Sequence, residues 1–223
     1  MIYYLFWWLC IITGYGFQLL LFKRKTYYED KKTQSLRVKG GALIISNHYH
    51  FYDYMVNMFA LAPRRLHVIA SELAYKNKLV GFGMKFFGGI QANRETGSMR
   101  FMNTAAEHIK NGGIVQIFPE GKITPDGTLQ PFKHSYIVIA HRAKAPIIPI
   151  VTDGAYGFTK RTHIIVGKPL YVTDYIKSDR RTPTREELKI FDEVVFAKIQ
   201  ELKTELEYRK NNKGKKPCGG EKI

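Results

Sequence analysis

His48 and Asp53 are the two residues of this chain whose types and spacing best suit acid–base chemistry. A neutral imidazole accepts a proton near neutral pH, and a neighbouring carboxylate fixes its tautomer and favours the imidazolium that results. Residues five apart on one helix point about 140° from each other, so a continuous helix would separate these side chains. The pair can meet if a strand ends near Ser46 and a turn follows, with a helix starting near Phe51.

Two other interpretations of the same residues stay open at this point. A histidine beside a cluster of aromatic side chains is more often a packed residue than a catalyst. His50 adds the second alternative, since His48, His50 and Asp53 together faintly suggest a metal site. The hydrolase form of that signature requires a further acid and a further histidine, whereas tyrosines flank Asp53 here. No metal ion is therefore expected.

Two later segments each place a cation after an apolar run. The first segment ends in Arg94, and the second supplies three residues, Glu120, Gly121 and Lys122. Ligands collect at the carboxyl ends of strands in α/β sheets, and the planar fork of arginine suits phosphate oxygens. Glycine lets a bare backbone amide approach an anion. Taken alone, each segment would also fit a surface ion pair or a plain turn.

The elements that must position these residues alternate between short apolar runs and helical patterns. This alternation predicts a three-layer α/β domain with a mostly parallel mixed sheet flanked by helices. One helix is predicted over Ser98–Lys110, and another after the capping box of Thr184 and Glu187. Pro146 and Pro149 mark their run as an edge strand. The predicted strands are Ala42–Ile45, Leu66–Ala70, Gly89–Ala92, Ile114–Phe118, Ile147–Val151 and His163–Val166.

The chain of 223 residues is long enough for one well-buried domain with appendages. Residues 1–25 contain an uncharged run, Ile2–Phe22, which as a helix would extend about 30 Å and is followed by a basic cluster. This predicts an N-terminal membrane anchor that spans the bilayer, or two short helices in one leaflet, with the basic cluster cytoplasmic. After a connecting segment, Thr26–Lys39, residues 40–208 form the predicted catalytic domain and residues 209–223 a basic mobile tail.

The charge of the chain is strongly positive, with 35 lysines and arginines against 19 acidic residues and a formal net charge of +16. Such a balance favours an anionic partner, which could be a phospholipid surface, a phosphorylated metabolite or a nucleic acid. Charge alone does not choose among them. The two cysteines, Cys10 and Cys218, offer neither a disulfide framework nor metal-ligand spacing.

Four runs follow one another along the chain: SNHYHFYD (Ser46–Asp53), GGIQANR (Gly88–Arg94), FPEGK (Phe118–Lys122) with PFK (Pro131–Lys133), and APIIPI (Ala145–Ile150). Together they resemble the ordered motifs of the glycerolipid acyltransferase family, whose best-known members are 1-acylglycerol-3-phosphate acyltransferases. The first run carries the His-x4-Asp motif of that family. The resemblance covers roughly residues 42–170, which is most of the chain outside the predicted anchor and the C-terminal helix.

The resemblance implies roles for the residues that match the motifs. His48 would be the general base that deprotonates an acceptor hydroxyl, Asp53 would orient it, and Arg94 would hold the acceptor phosphate. Three further residues would shape the same pocket: Glu120, Gly121 and Lys122. The implied reaction transfers an acyl group from acyl-CoA or acyl-ACP to the sn-2 hydroxyl of 1-acylglycerol-3-phosphate, giving phosphatidic acid in phospholipid biosynthesis. No cofactor is implied beyond the thioester co-substrate.

Two positions depart from the family pattern. Lys122 and Ile123 stand where Thr-Arg is common, and His50 stands where a small hydroxyl residue is common. These changes leave the reaction class intact and leave open an acyltransferase or transacylase for another lysophospholipid or lipid hydroxyl. The expected partners are the membrane phospholipid bilayer, a lysophospholipid acceptor and acyl-CoA or acyl carrier protein, with no role for nucleic acid.

Overall fold

The computed structural model describes residues 2–32, 34, 36–93, 99–177, 180 and 182–212. Its strands are β1 (Lys25–Tyr28), β2 (Ala42–Ser46), β3 (Leu66–Ser71), β4 (Ile90–Ala92), β5 (Ile114–Ile117), β6 (Ile147–Thr152) and β7 (His163–Val166). Its helices are α1 (Ile2–Phe22), α2 (Tyr52–Leu61), α3 (Glu72–Lys76), α4 (Lys78–Phe86), α5 (Arg100–Lys110), α6 (Ser135–Ala143), α7 (Val172–Tyr175) and α8 (Arg185–Asn211).

The strands of the described residues form one sheet in the order β1-β7-β6-β2-β5-β3-β4. Neighbouring strands run parallel except β6 and β7, which are antiparallel. The predicted α/β class with a mostly parallel mixed sheet is therefore confirmed. Because β6, β2, β5, β3 and β4 share one direction, their carboxyl ends lie along the same edge of the sheet, where ligands bind in open α/β folds.

Helices cover both faces of the sheet. On β2, Leu43 and Ile45 face the apolar cluster that includes α5, α6 and α8, whereas Ala42 and Ile44 face the cluster of α1, α2 and α4. This alternation follows from the two-residue period of a strand. Since both faces are buried, the central strands are apolar along their whole length, as the sequence pattern indicated.

The sequence pattern does not predict strand β1, since Lys25–Tyr28 falls at the junction of the predicted anchor and the connecting segment. This strand pairs in parallel with β7 at the edge of the sheet, and Tyr27 is buried there. A four-residue strand that begins with lysine has too few apolar positions to show a period of two. The packed domain therefore begins before residue 40.

The prediction that Pro149 marks an edge strand is wrong, because β6 lies between β7 and β2 inside the sheet. The Pro149 carbonyl accepts a hydrogen bond from the N–H of Gly167 and therefore points towards β7. The nitrogen of Pro149, which carries no hydrogen, is directed to the same side. The ladder between β6 and β7 begins only at Ile150. The absent N–H of proline therefore removes no bond of that ladder.

The N-terminal segment forms one continuous helix, α1, rather than two short ones. Trp7, Ile11 and Phe22 are buried against the domain, while Leu9 and Ile12 are 56% and 68% exposed on its other side. Across the described residues, no helix combines the length and the apolarity needed to cross a membrane. Membrane anchoring by residues 1–25 stays a prediction.

The C-terminal helix α8 begins after Thr184, and the predicted capping box is confirmed. The helix ends at Asn211, beyond the predicted boundary at 208, because its last turn is bonded to the domain. Arg209 donates to a backbone carbonyl of β1 at 2.7 Å, and Lys210 pairs with a buried aspartate at 3.3 Å. The rest of the predicted mobile tail, residues 213–223, lies outside the described residues.

Candidate active site

A turn after β2 positions the predicted catalytic pair, as the spacing of the two residues required. The strand ends at Ser46 and α2 begins at Tyr52. Within the turn, the Asn47 side chain donates to the carbonyl of Thr152 at 3.0 Å and accepts from the N–H of Thr152 at 2.9 Å. These two hydrogen bonds attach the turn to the end of β6, so the sheet fixes the position of the residue directly before His48.

His48 and Asp53 lie in direct contact, with 2.9 Å between Nδ1 of the imidazole and Oδ2 of the carboxylate. The predicted proximity of the pair is therefore confirmed. The Asp53 side chain is fully buried, whereas that of His48 is 16% exposed. A carboxylate accepts hydrogen bonds, so Nδ1 carries the proton and Nε2 keeps the lone pair that a general base needs. The imidazole also stacks on Phe118, with ring centroids 3.8 Å apart and an angle of 11° between the planes.

Two more donors hold the Asp53 carboxylate. The N–H of His50 donates to Oδ2 at 2.7 Å, and the Tyr156 hydroxyl donates to Oδ1. Burial and the neighbouring Asp53 raise the pKa of Tyr156, so its hydroxyl stays protonated and can donate. Tyr156 lies 103 residues beyond Asp53, and the sequence contains no local signal that connects them.

The His50 side chain is directed to other partners. Its Nδ1 accepts from the N–H of Tyr52 at 3.4 Å, and the rings of His50 and Tyr52 lie with their centroids 4.7 Å apart. Within the described part of the chain, no group of three histidine, cysteine or acidic side chains is arranged to hold a metal ion.

Glu120, which the sequence assigned to the substrate pocket, lies buried behind His48. Its Oε1 accepts from the N–H of His48 at 3.1 Å, and its Oε2 accepts from the N–H of Gln130 at 3.0 Å and the Thr124 hydroxyl at 3.3 Å. Burial raises the pKa of Glu120, and these hydrogen bonds oppose that rise. The carboxylate thus fixes the loop that carries His48.

A cavity of about 790 Å³ opens beside His48 at the carboxyl ends of β3, β4 and β5. Most of its wall is apolar, as expected for a site that holds a hydrocarbon chain. Its polar lining includes His48, Ser71, Asn93, Lys122, Lys133 and Ser135. The apolar wall includes Val68, Ile69, Met84, Met102, Ile117 and Phe118.

Gly121, Lys122 and Lys133 line the same cavity. The φ of Gly121 is +67°, and a Cβ added there would lie 3.0 Å from Nζ of Lys133, so the ammonium group closely approaches bare backbone. Lys133 received no role from its sequence, although it closes the PFK run that follows FPEGK. Arg94 lies outside the described residues; Asn93, directly before it, lines the cavity.

The fold and the site together define an α/β domain in which a histidine, held by a buried carboxylate, lies at the carboxyl ends of the strands beside an apolar cavity. The Acyltransferase family model matches residues 27–153, more than half of the chain. The chain therefore belongs to the acyltransferase family, and it is an O-acyltransferase. The resemblance seen in its four ordered runs is confirmed.

The chain is also similar to two curated relatives and to one solved structure. The 1-acyl-sn-glycerol-3-phosphate acyltransferase of Bacillus subtilis is 27% identical over 179 residues, which cover 78% of this chain and 87% of that protein. The human 1-acyl-sn-glycerol-3-phosphate acyltransferase beta is 31% identical over 134 residues, or 59% of this chain and 48% of that protein. The chain thus spans about half the length of the human relative.

The crystal structure of the 1-acyl-sn-glycerophosphate (LPA) acyltransferase PlsC from Thermotoga maritima superposes with a TM-score of 0.61. The match covers 91% of this chain and 78% of that one at 21% sequence identity. At this identity the likeness supports a common fold.

Proposed function

We propose that this enzyme transfers an acyl group from an acyl thioester to the sn-2 hydroxyl of 1-acylglycerol-3-phosphate, forming phosphatidic acid. The observation that carries the proposal is the placement of the His48–Asp53 pair at one cavity that has both an apolar wall and a cationic rim. A lysophosphatidate needs both surfaces, because it joins a long hydrocarbon chain to a phosphate. The names of the curated relatives support the same substrate class.

In the proposed reaction, Nε2 of His48 removes the proton of the acceptor hydroxyl while the hydroxyl oxygen attacks the thioester carbonyl carbon. The new C–O bond forms as the carbonyl becomes a tetrahedral oxyanion, and the C–S bond breaks when the oxyanion collapses. The departing thiolate takes the proton back from His48, so the base is regenerated. Asp53 stabilises the imidazolium that exists between these two proton transfers.

The cavity divides the binding of the substrates between apolar burial and charge. Each methylene group buried against the apolar wall contributes roughly 0.8 kcal/mol, so an acyl chain gains most of its binding free energy there. The acceptor phosphate is assigned to Lys122 and Lys133 at the rim, together with Arg94, whose role rests on the resemblance to the family. Arginine can bind phosphate oxygens through two parallel hydrogen bonds.

A thiol-release assay tests this function directly. Purified enzyme is given acyl-CoA or acyl-ACP with a panel of lysophospholipids, and the expected result is thiol release that depends on lysophosphatidate. Faster release with another lysophospholipid would favour the alternative acceptor that Lys122 and Ile123 leave open. Absence of thiol release with every acceptor and both donors would contradict the proposal.

Replacing Arg94 by alanine is expected to raise the KM for lysophosphatidate by about tenfold, because a charge-assisted hydrogen bond to phosphate is lost. The KM for the thioester donor should change much less. Steady-state kinetics with each substrate varied in turn measures both constants. Arg94→Lys is the matched control, since it keeps the charge but loses the planar fork, and it should fall between wild type and alanine. An unchanged acceptor KM in Arg94→Ala would remove this residue from phosphate binding.

We further propose that the outer side of α1 binds the cytoplasmic surface of a membrane. Leu9 and Ile12 are exposed there, and a basic segment at the end of the helix suits anionic headgroups. The double variant Leu9→Asp/Ile12→Asp should bind vesicles of phosphatidylcholine and phosphatidylglycerol at least about tenfold more weakly, since each apolar side chain contributes roughly 1.5–3 kcal/mol when buried. Co-sedimentation measures the bound fraction.

The control for this prediction is Ile190→Asp on α8, which is 59% exposed and lies on the opposite face of the sheet. It should sediment with vesicles like the wild type. Equal vesicle binding by wild type and the Leu9→Asp/Ile12→Asp variant would exclude α1 as the membrane-binding surface.

A further inference from the structure

A second cavity, of about 420 Å³, lies on the outer flank of the sheet beside the edge strand β4. Phe101, in the first turn of α5, lines both this cavity and the larger one that contains His48, so the two adjoin. Five basic or imidazole side chains line the smaller cavity: Arg65, His67, Lys85, Arg100 and His108. We refer to it as the flank pocket.

The flank pocket is cationic, and no acidic side chain is found among the described residues that line it. Burial lowers the pKa of His67 to about 4; the hydrogen bond to Gly88 opposes this effect, and the neighbouring His108 and Arg65 add to it. The pocket combines these charges with the apolar ring of Phe101. Such a combination fits a ligand that has both an anionic and an apolar part, as a nucleotide has in its phosphates and its base.

The inner wall of the flank pocket is held in place by backbone contacts. Arg65 donates to the Phe86 carbonyl at 2.6 Å, and Nδ1 of His67 donates to the Gly88 carbonyl at 3.0 Å. The rings of His67 and His108 stack with centroids 4.6 Å apart. Lys85 and Arg100 are exposed at the rim of the pocket.

We propose that the flank pocket binds the phosphates of the coenzyme A part of an acyl-CoA donor. This inference rests on the proposed function and deepens it. In acyl-CoA the phosphates are separated from the thioester by the long pantetheine arm, so their site must lie apart from His48. The acceptor phosphate, by contrast, is close to the reacting hydroxyl and belongs at the rim of the larger cavity. The arm passes over Phe101, where the two cavities meet.

The test is the double variant Lys85→Ala/Arg100→Ala, which removes two exposed cations and leaves the inner wall intact. The KM for acyl-CoA should rise about tenfold, because phosphate loses two charge-assisted contacts. Neither kcat at saturating acyl-CoA nor the KM for lysophosphatidate should change. The matched control is Lys110→Ala/Lys144→Ala, which removes the same charge from exposed positions at another surface cavity, and it should behave as wild type.

Calorimetric titration with coenzyme A itself separates this inference from the proposed function, because it needs no turnover. We expect the Lys85→Ala/Arg100→Ala variant to bind coenzyme A about tenfold more weakly than the control variant. Dephospho-CoA, which lacks the 3′-phosphate, should discriminate less between the two variants. If the enzyme transfers acyl groups but both variants have equal affinity for coenzyme A, the flank pocket is not the donor site and the proposed function stands.

The cations of the flank pocket could also bind the phosphate of a lipid headgroup. The same variants distinguish a headgroup from coenzyme A as the ligand. A loss of binding to phosphatidylglycerol vesicles with unchanged affinity for coenzyme A would overturn the donor assignment. A rise in the KM for lysophosphatidate instead of acyl-CoA would also overturn it, since the pocket would then belong to the acceptor.

Discussion

Replacing His48 by alanine should lower kcat/KM for acyl transfer by about 100- to 10,000-fold, which is the usual contribution of a positioned general base. His48 lines the cavity, and the buried Asp53 carboxylate holds its Nδ1, which leaves Nε2 as the nitrogen that can accept a proton. The variant should remain folded, since His48 makes its structural contacts to Glu120 and Thr124 through its backbone. Thiol release and thermal unfolding measure the two properties.

His50→Ala is the matched control for this prediction, because it removes an imidazole two residues away. The bond from His50 to Asp53 uses the backbone N–H and survives the substitution. Activity should therefore stay within a few-fold of wild type. An equal, large loss in both variants would revive the metal-site interpretation of His48, His50 and Asp53. Full activity in His48→Ala would remove this residue as the base.

The central part of the site could be predicted because its signals are local. An apolar run that ends at Ser46, followed after five intervening residues by a helical pattern, requires a strand, a turn and a helix. Only such a turn lets His48 contact Asp53. The cationic segments after β4 and β5 were predicted for the same reason, since both follow recognisable strands and parallel strands end at a common edge.

The remaining parts of the site depend on contacts between distant segments, which periodicity does not encode. Tyr156 reaches Asp53 from a loop 103 residues away, and Glu120 accepts the N–H of His48 from 72 residues away. The resemblance to the family implied that Glu120 shapes the pocket for the acceptor phosphate, and this role stays a prediction. The structure adds that Glu120 is buried and that its three protein donors fix the loop that carries His48.

Neither the role of Lys133 nor the flank pocket could be predicted from the sequence, for a related reason. The positions that line the pocket come from β3, α4, β4 and α5, and only their packing brings five cationic or imidazole side chains together. In the sequence each of these residues is an ordinary surface charge. The strongly positive net charge indicated an anionic partner, but not where that partner binds.

Replacing Asp53 by asparagine should lower kcat/KM by an amount similar to the loss of His48, on the order of 100-fold or more, because the imidazolium loses its buried counter-charge. An amide also has only one acceptor oxygen. If its NH2 faces Nδ1 of His48, the imidazole must place its proton on Nε2, and the lone pair needed for catalysis is lost. If its oxygen faces Nδ1, the tautomer is kept but the charge is still absent.

The variant Tyr156→Phe distinguishes the effect of the orientation of the Asp53 carboxylate from the effect of its charge. It removes one donor to Asp53 and keeps both the carboxylate and its bonds to His48 and His50, so a loss of about tenfold or less is expected. The imidazole nitrogen shifts of His48 in NMR spectra report its tautomer directly. They should change in Asp53→Asn and stay near wild type in Tyr156→Phe. Wild-type kcat/KM in Asp53→Asn would mean that His48 works without its carboxylate, and the base would then have to be supported by another group.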